Sequence, residues 1–70
     1  MNNQDLNFLD AIRMAIQAET ESAAFYEEAA RKTNNPLGRR LFEQLSEFER
    51  YHESNLSALE ESLCKDGACI

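Results

Sequence analysis

Apolar residues recur every three or four positions along most of the chain, in two runs separated by a short polar break. In the first run Phe8, Ile12, Ala15, Glu19, Ala23, Tyr26 and Ala30 fall on one stripe, with Leu9 and Ile16 beside it. In the second, Phe42, Leu45, Glu49, His52, Leu56, Leu59 and Leu63 do the same, flanked by Leu41 and Phe48. That spacing belongs to an amphipathic helix. Ala, Glu and Gln dominate from Asp5 to Lys32 with no Gly or Pro, so a helix is predicted over about 5–32. Arg31 and Lys32 put positive charge where it complements the helix dipole. Thr33-Asn34-Asn35-Pro36 forms the turn, with Asn35 suited to N-cap the next helix and Pro36 to open it. The second helix is predicted over about 36–65, with Gly67 as a stop inside a short cysteine-containing tail, 66–70. The pattern therefore predicts an all-α fold, a single two-helix unit over 1–70 folded as an antiparallel hairpin.

Each stripe is wider than one neighbouring helix can cover. Seventy residues are also few for a self-sufficient core, and chains this short usually lean on a disulfide, a metal or a partner. Two hairpins paired into a four-helix bundle would bury both stripes. The expected state is a homodimer, or a higher even-numbered oligomer built from it.

Composition narrows the function. Thirteen acidic against seven basic residues give a net charge of −6, which repels phosphate backbones and anionic lipid. Nucleic-acid and membrane-surface binding are therefore not expected. No apolar run approaches a membrane span, and Met1-Asn-Asn-Gln-Asp lacks the features of a signal peptide, so a cytoplasmic location is expected. In that compartment Cys64 and Cys69 are expected as reduced thiols on a frayed tail, a redox-active pair being the alternative.

Both stripes carry charge where apolar side chains belong. Glu49 and His52 share one face of the second helix at i and i+3, and Glu19 interrupts the first stripe. Measured from Asn35, Glu19 lies sixteen residues back, Glu49 fourteen forward and His52 seventeen forward. In an antiparallel hairpin they come to one height, within ~5 Å along the axis. Groups of this kind facing a core need a partner, and a metal ion accepts both carboxylate and neutral imidazole. Two chains would supply four Glu and two His, the ligand inventory of dinuclear carboxylate sites in helix bundles. Four carboxylates match the charge of two divalent cations. Left empty, carboxylates so close could not all stay ionised. The bland alternatives are a partly exposed histidine on an acidic helix and one more solvated glutamate beside Glu21. Tyr26, two turns from Glu19 on the same face, is either a packing residue with its hydroxyl satisfied locally or a hydrogen-bond donor to a ligand carboxylate. Tyr51 points about 100° away from His52 and is expected to be peripheral.

With these residues in view, the chain resembles the rubrerythrin branch of the ferritin-like superfamily. The resemblance lies in Ala15-Ile-Gln-Ala-Glu19-Thr-Glu-Ser-Ala-Ala-Phe25-Tyr26-Glu-Glu-Ala-Ala30 and in Pro36-Leu-Gly-Arg-Arg-Leu-Phe42-Glu-Gln-Leu45-Ser-Glu-Phe-Glu49-Arg-Tyr-His52. It implies a ferritin-like bundle with Glu19, Glu49 and His52 as iron ligands and Tyr26 as a tyrosine hydrogen-bonded near the metals. It also implies two iron ions per dimer, with manganese equally compatible with the donor set. Typical members hold four bundle helices in one chain, and rubrerythrins add a rubredoxin domain with Cys-x-x-Cys knuckles. Here there is half a bundle and no such knuckle, as in the encapsulated ferritins, so electrons would come from an external donor. Ser22 stands where some rubrerythrins carry an additional Glu used in peroxide chemistry, which tells against peroxidase activity. The expected function is oxidation of ferrous iron with dioxygen or peroxide, as a ferroxidase or a peroxide-scavenging oxidoreductase, at a site shared between two chains. The alternative is a non-catalytic metal-binding bundle or interaction module.

Overall fold

A computed structural model describes residues 7–65 as two helices, α1 (Phe8–Lys32) and α2 (Pro36–Lys65), packed side by side in an antiparallel hairpin, with no strand among the described residues. The expected all-α hairpin is what forms. Gly67, Cys69 and the tail 66–70 lie outside the described residues.

The ends of the helices follow from their caps. α1 starts later than the expected position near residue 5, because Asn7 is extended (φ −89°, ψ 172°) and caps the helix. Its side-chain oxygen accepts the Asp10 N–H at 2.7 Å, satisfying one of the first-turn donors that have no intrahelical partner. At the other end Thr33 leaves helical geometry (ψ 138°) while its N–H still reaches Ala29 O, so the chain turns there. Asn35 Oδ1 accepts the Gly38 N–H at 2.9 Å, which makes Asn35 the cap of α2, with Pro36 as its first residue. Arg39 clamps the turn by donating to Thr33 O at 3.3 Å. Replacing Asn35 by Ala should cost about 1 kcal/mol, and by Gly only a few tenths, read from thermal melting followed by circular dichroism.

The helices bury little against each other. Leu9, Ile12, Ala23 and Ala30 form the buried apolar core, and Ser46 is the buried polar residue among those described. The radius of gyration is 15.5 Å, against about 11 Å for a compact chain of this length, and the extents are 47 × 29 × 12 Å. This is a slab one helix thick.

Its two flanks differ in chemistry. Along one, polar side chains cross between the helices: Arg13 pairs with Glu60 at 2.7 Å, Thr20 with Glu53, and Glu27 with Arg50 and Ser46. On the opposite flank Phe25 of α1 and Leu41 and Phe48 of α2 are more than half exposed. The stripes read from the sequence are thus only partly covered within one hairpin. Phe8 is 64% exposed and Leu59 39%, while Phe42, Leu45, Leu56 and Leu63 are half-buried.

Cys64 is disulfide-bonded, which corrects the expectation of reduced thiols. The spacing could not show this, because bridging depends on the separation and direction of the Cβ atoms, which a sequence does not display. No helix among the described residues is long and apolar enough to cross a membrane.

Candidate metal centre

Glu19, Glu49 and His52 come together midway along the hairpin, at the border between the helix–helix contact and the open apolar flank. Each offers one ligand atom, and these atoms lie within 4.8 Å of one another. The convergence is a matter of helical geometry. Glu49 and His52 are one turn apart on one face of α2, and the antiparallel register sets Glu19 of α1 opposite them.

The contacts are close and charged. His52 Nδ1 lies 2.9 Å from Glu19 Oε2 and 3.7 Å from Glu49 Oε1. Phe48 stacks on the imidazole with ring centroids 5.4 Å apart, fixing its plane from the outer side. The two glutamates are mostly covered, whereas the His52 side chain is 51% exposed. A hollow lined by Glu19, His52, Asn55 and Leu56 opens from the cluster to the apolar flank.

Electrostatics agree with an unsatisfied donor set. The carboxyl of Glu49 is raised above the ordinary carboxylate range, first by a hydrogen bond shared with Glu19, then by burial and by the charge of Glu19; His52 pulls the other way. Two carboxylates this close each disfavour the other's charge. That is the behaviour expected of carboxylates arranged for a metal, and the donor types, two oxygens and one nitrogen, suit iron or manganese. Three protein donors leave a cation's coordination shell incomplete.

Tyr26 takes a packing position. Its ring stacks on Phe42 (centroids 6.3 Å, planes 21° apart) and meets the edge of Phe25 at 5.5 Å. Tyr51 is exposed, with its ring tilted 53° to that of His52. Ser22 is half-buried.

The sequence reading missed a second set of residues at the same height. Thr20 Oγ1 sits between Ile16 O and the Glu53 carboxylate, and Arg50 bridges Glu53 and Glu27. The Glu53 carboxyl is held below its usual range, chiefly by the Thr20 hydroxyl and further by Arg50. Their signal in the sequence is a seven-residue recurrence, Arg13, Thr20 and Glu27 on α1 facing Ser46, Glu53 and Glu60 on α2. It becomes readable only when the register of the hairpin is known.

Comparisons with curated proteins and with solved structures gave no significant match. A family model described as Rubrerythrin matches residues 1–60, a stretch that contains the whole carboxylate–imidazole cluster. With most of its length matched in this way, the chain belongs to the rubrerythrin family.

Proposed function

We propose that two copies of the hairpin pair through their open apolar flanks into a four-helix bundle that cages two iron ions and oxidises ferrous iron. The observation that carries this reading is the placement of the three donors. They converge within 4.8 Å, with His52 half exposed beside a flank the chain does not cover by itself. A second copy would bring the donors to four carboxylates and two imidazoles, the set used by dinuclear sites in helix bundles. It would also remove Phe25, Leu41 and Phe48 from water.

Glu19, Glu49 and His52 would hold the metals, which supply one-electron chemistry toward dioxygen or peroxide when bound. The chain's own part is to bind, orient and enclose. Glu49 would coordinate in its ionised form, since ligands must be deprotonated to bind a cation. His52 turns Nδ1 toward the two carboxylates, and Phe48 keeps the ring in that plane. In the paired bundle Leu56 and the apolar flank would exclude water from the opening. Ser22 supplies no additional carboxylate, so ferroxidase activity is favoured over peroxide removal, with an external partner as the source or sink of electrons. The reading includes a cytoplasmic location, which trapping of thiols in freshly lysed cells tests. A Cys64 bridge that persists there would speak for an oxidising compartment.

The test is metal analysis of anaerobically purified protein together with its mass in solution. About one metal per chain and an even number of chains are expected. Ferrous iron added in air should then give a rapid rise in near-ultraviolet absorbance. Zinc or iron bound without that rise marks a non-catalytic metal-stabilised bundle instead. No metal and no shift in melting temperature with ferrous or manganous ions would end the metal reading.

A further inference from the structure

We infer that Thr20, Glu53, Arg50 and Glu27 are positioning residues that fix the register of α1 against α2 and so hold Glu19 opposite His52; the inference rests on the metal reading above. Each of the three donors is followed in sequence by a member of this network. Thr20 follows Glu19, Arg50 follows Glu49 and Glu53 follows His52. One residue along a helix turns the side chain by about 100°, so the network lies on the polar flank while its neighbours point to the metal cluster. None of it reaches the cluster, but all of it is tied to the same turns of backbone.

Register matters here because the donors come from two helices. Glu19 is the sole contribution of α1, and its 2.9 Å contact with His52 depends on how far one helix has slid along the other. A slip of one turn moves α1 by about 5.4 Å, which separates them. The apolar contact cannot prevent such a slip well. Leu9 and Ile12 pack only near the start of α1; beyond Glu19 its buried members, Ala23 and Ala30, are small, and small side chains leave shallow ridges and grooves. Directional polar contacts can. Arg50 Nη2 lies 3.1 Å from both oxygens of Glu27, and its Nη1 donates to Glu53 at 3.3 Å. Ser46, buried, donates to the same Glu27 at 3.3 Å, and the Thr20 hydroxyl closes the link from α1 to Glu53. Guanidinium–carboxylate pairs of this two-point kind constrain geometry as well as charge. The Arg13–Glu60 pair belongs to the same polar flank but lies about 12 Å further along α2 from His52, away from the cluster.

That last pair supplies the control. Manganese binding to the full chain, followed by electron paramagnetic resonance, should weaken severalfold in Thr20→Val and in Glu53→Gln. The double variant should be no worse than either alone, because both cut one contact. Thr20→Ser, which keeps the hydroxyl, should restore binding. Glu60→Gln should lower the melting temperature as much while leaving manganese affinity within about twofold. In metal-free protein, the nuclear Overhauser contact between the His52 ring and the Glu19 side chain should survive in Glu60→Gln and fade in Thr20→Val. An equal loss of affinity in Glu60→Gln overturns the inference, as does an unchanged affinity and contact in Thr20→Val and Glu53→Gln. If the unmodified chain binds no manganese or iron, the proposed function fails by itself, and the metal-free contact still decides whether the network sets the register.

Discussion

Glu49→Ala should empty the centre. Glu49 is one of two carboxylates per chain in the cluster, and in a shared site each substitution is felt twice. Removing even an outer partner of a metal ligand costs ten- to a hundredfold in affinity, so loss of the ligand itself should exceed about a hundredfold. Metal content should fall to background. The change also removes the carboxyl crowded against the charge of Glu19, relieving repulsion in the empty site. The metal-free variant should therefore melt no lower than metal-free unmodified protein, while the stabilisation normally added by ferrous or manganous ions disappears. Metal content and assembly both matching the unmodified chain would show that Glu49 is no ligand.

Leu41→Asp should break the pairing of chains while leaving every donor in place. Leu41 sits on the open flank, 53% exposed, three turns before His52 and on nearly the same side of α2. Burying a leucine contributes about 1.5–3 kcal/mol, and a two-fold pair loses two of them. The dissociation constant should rise on the order of a hundredfold or more, with the added carboxylates on an already acidic chain pushing the same way. Sedimentation should show single hairpins at micromolar concentration. Those hairpins should bind metal poorly, because each carries half of the donors. Undiminished metal affinity in a variant that stays single would place the whole site within one chain and refute the shared centre.

Much of this molecule is legible in its sequence for identifiable reasons. The two helices follow from apolar spacing, and the turn follows from Asn35 and Pro36, whose cap is present at 2.9 Å. The convergence of Glu19, Glu49 and His52 was legible because they interrupt apolar stripes at matching distances from the turn. The start of α1 was not, since nothing in the helix-permissive run before Phe8 distinguishes Asn7 from its neighbours until its side chain is seen to cap. Thr20, Arg50 and Glu53 were passed over because a threonine, an arginine and a glutamate on a polar flank are indistinguishable from solvated residues. What marks them is a contact thirty-three residues away in sequence for Thr20 and Glu53, and such a contact belongs to tertiary structure. Ser46 was hidden in the same way, as a small polar residue buried by Glu27 and α1.

If the hairpins pair as proposed, a chain whose described interior amounts to Leu9, Ile12, Ala23 and Ala30 should resist a protease better once paired. Orphan hairpins should then be cleared quickly and mated ones spared. On that reading, the amount of intact protein should rise more steeply than its synthesis near the concentration at which copies pair.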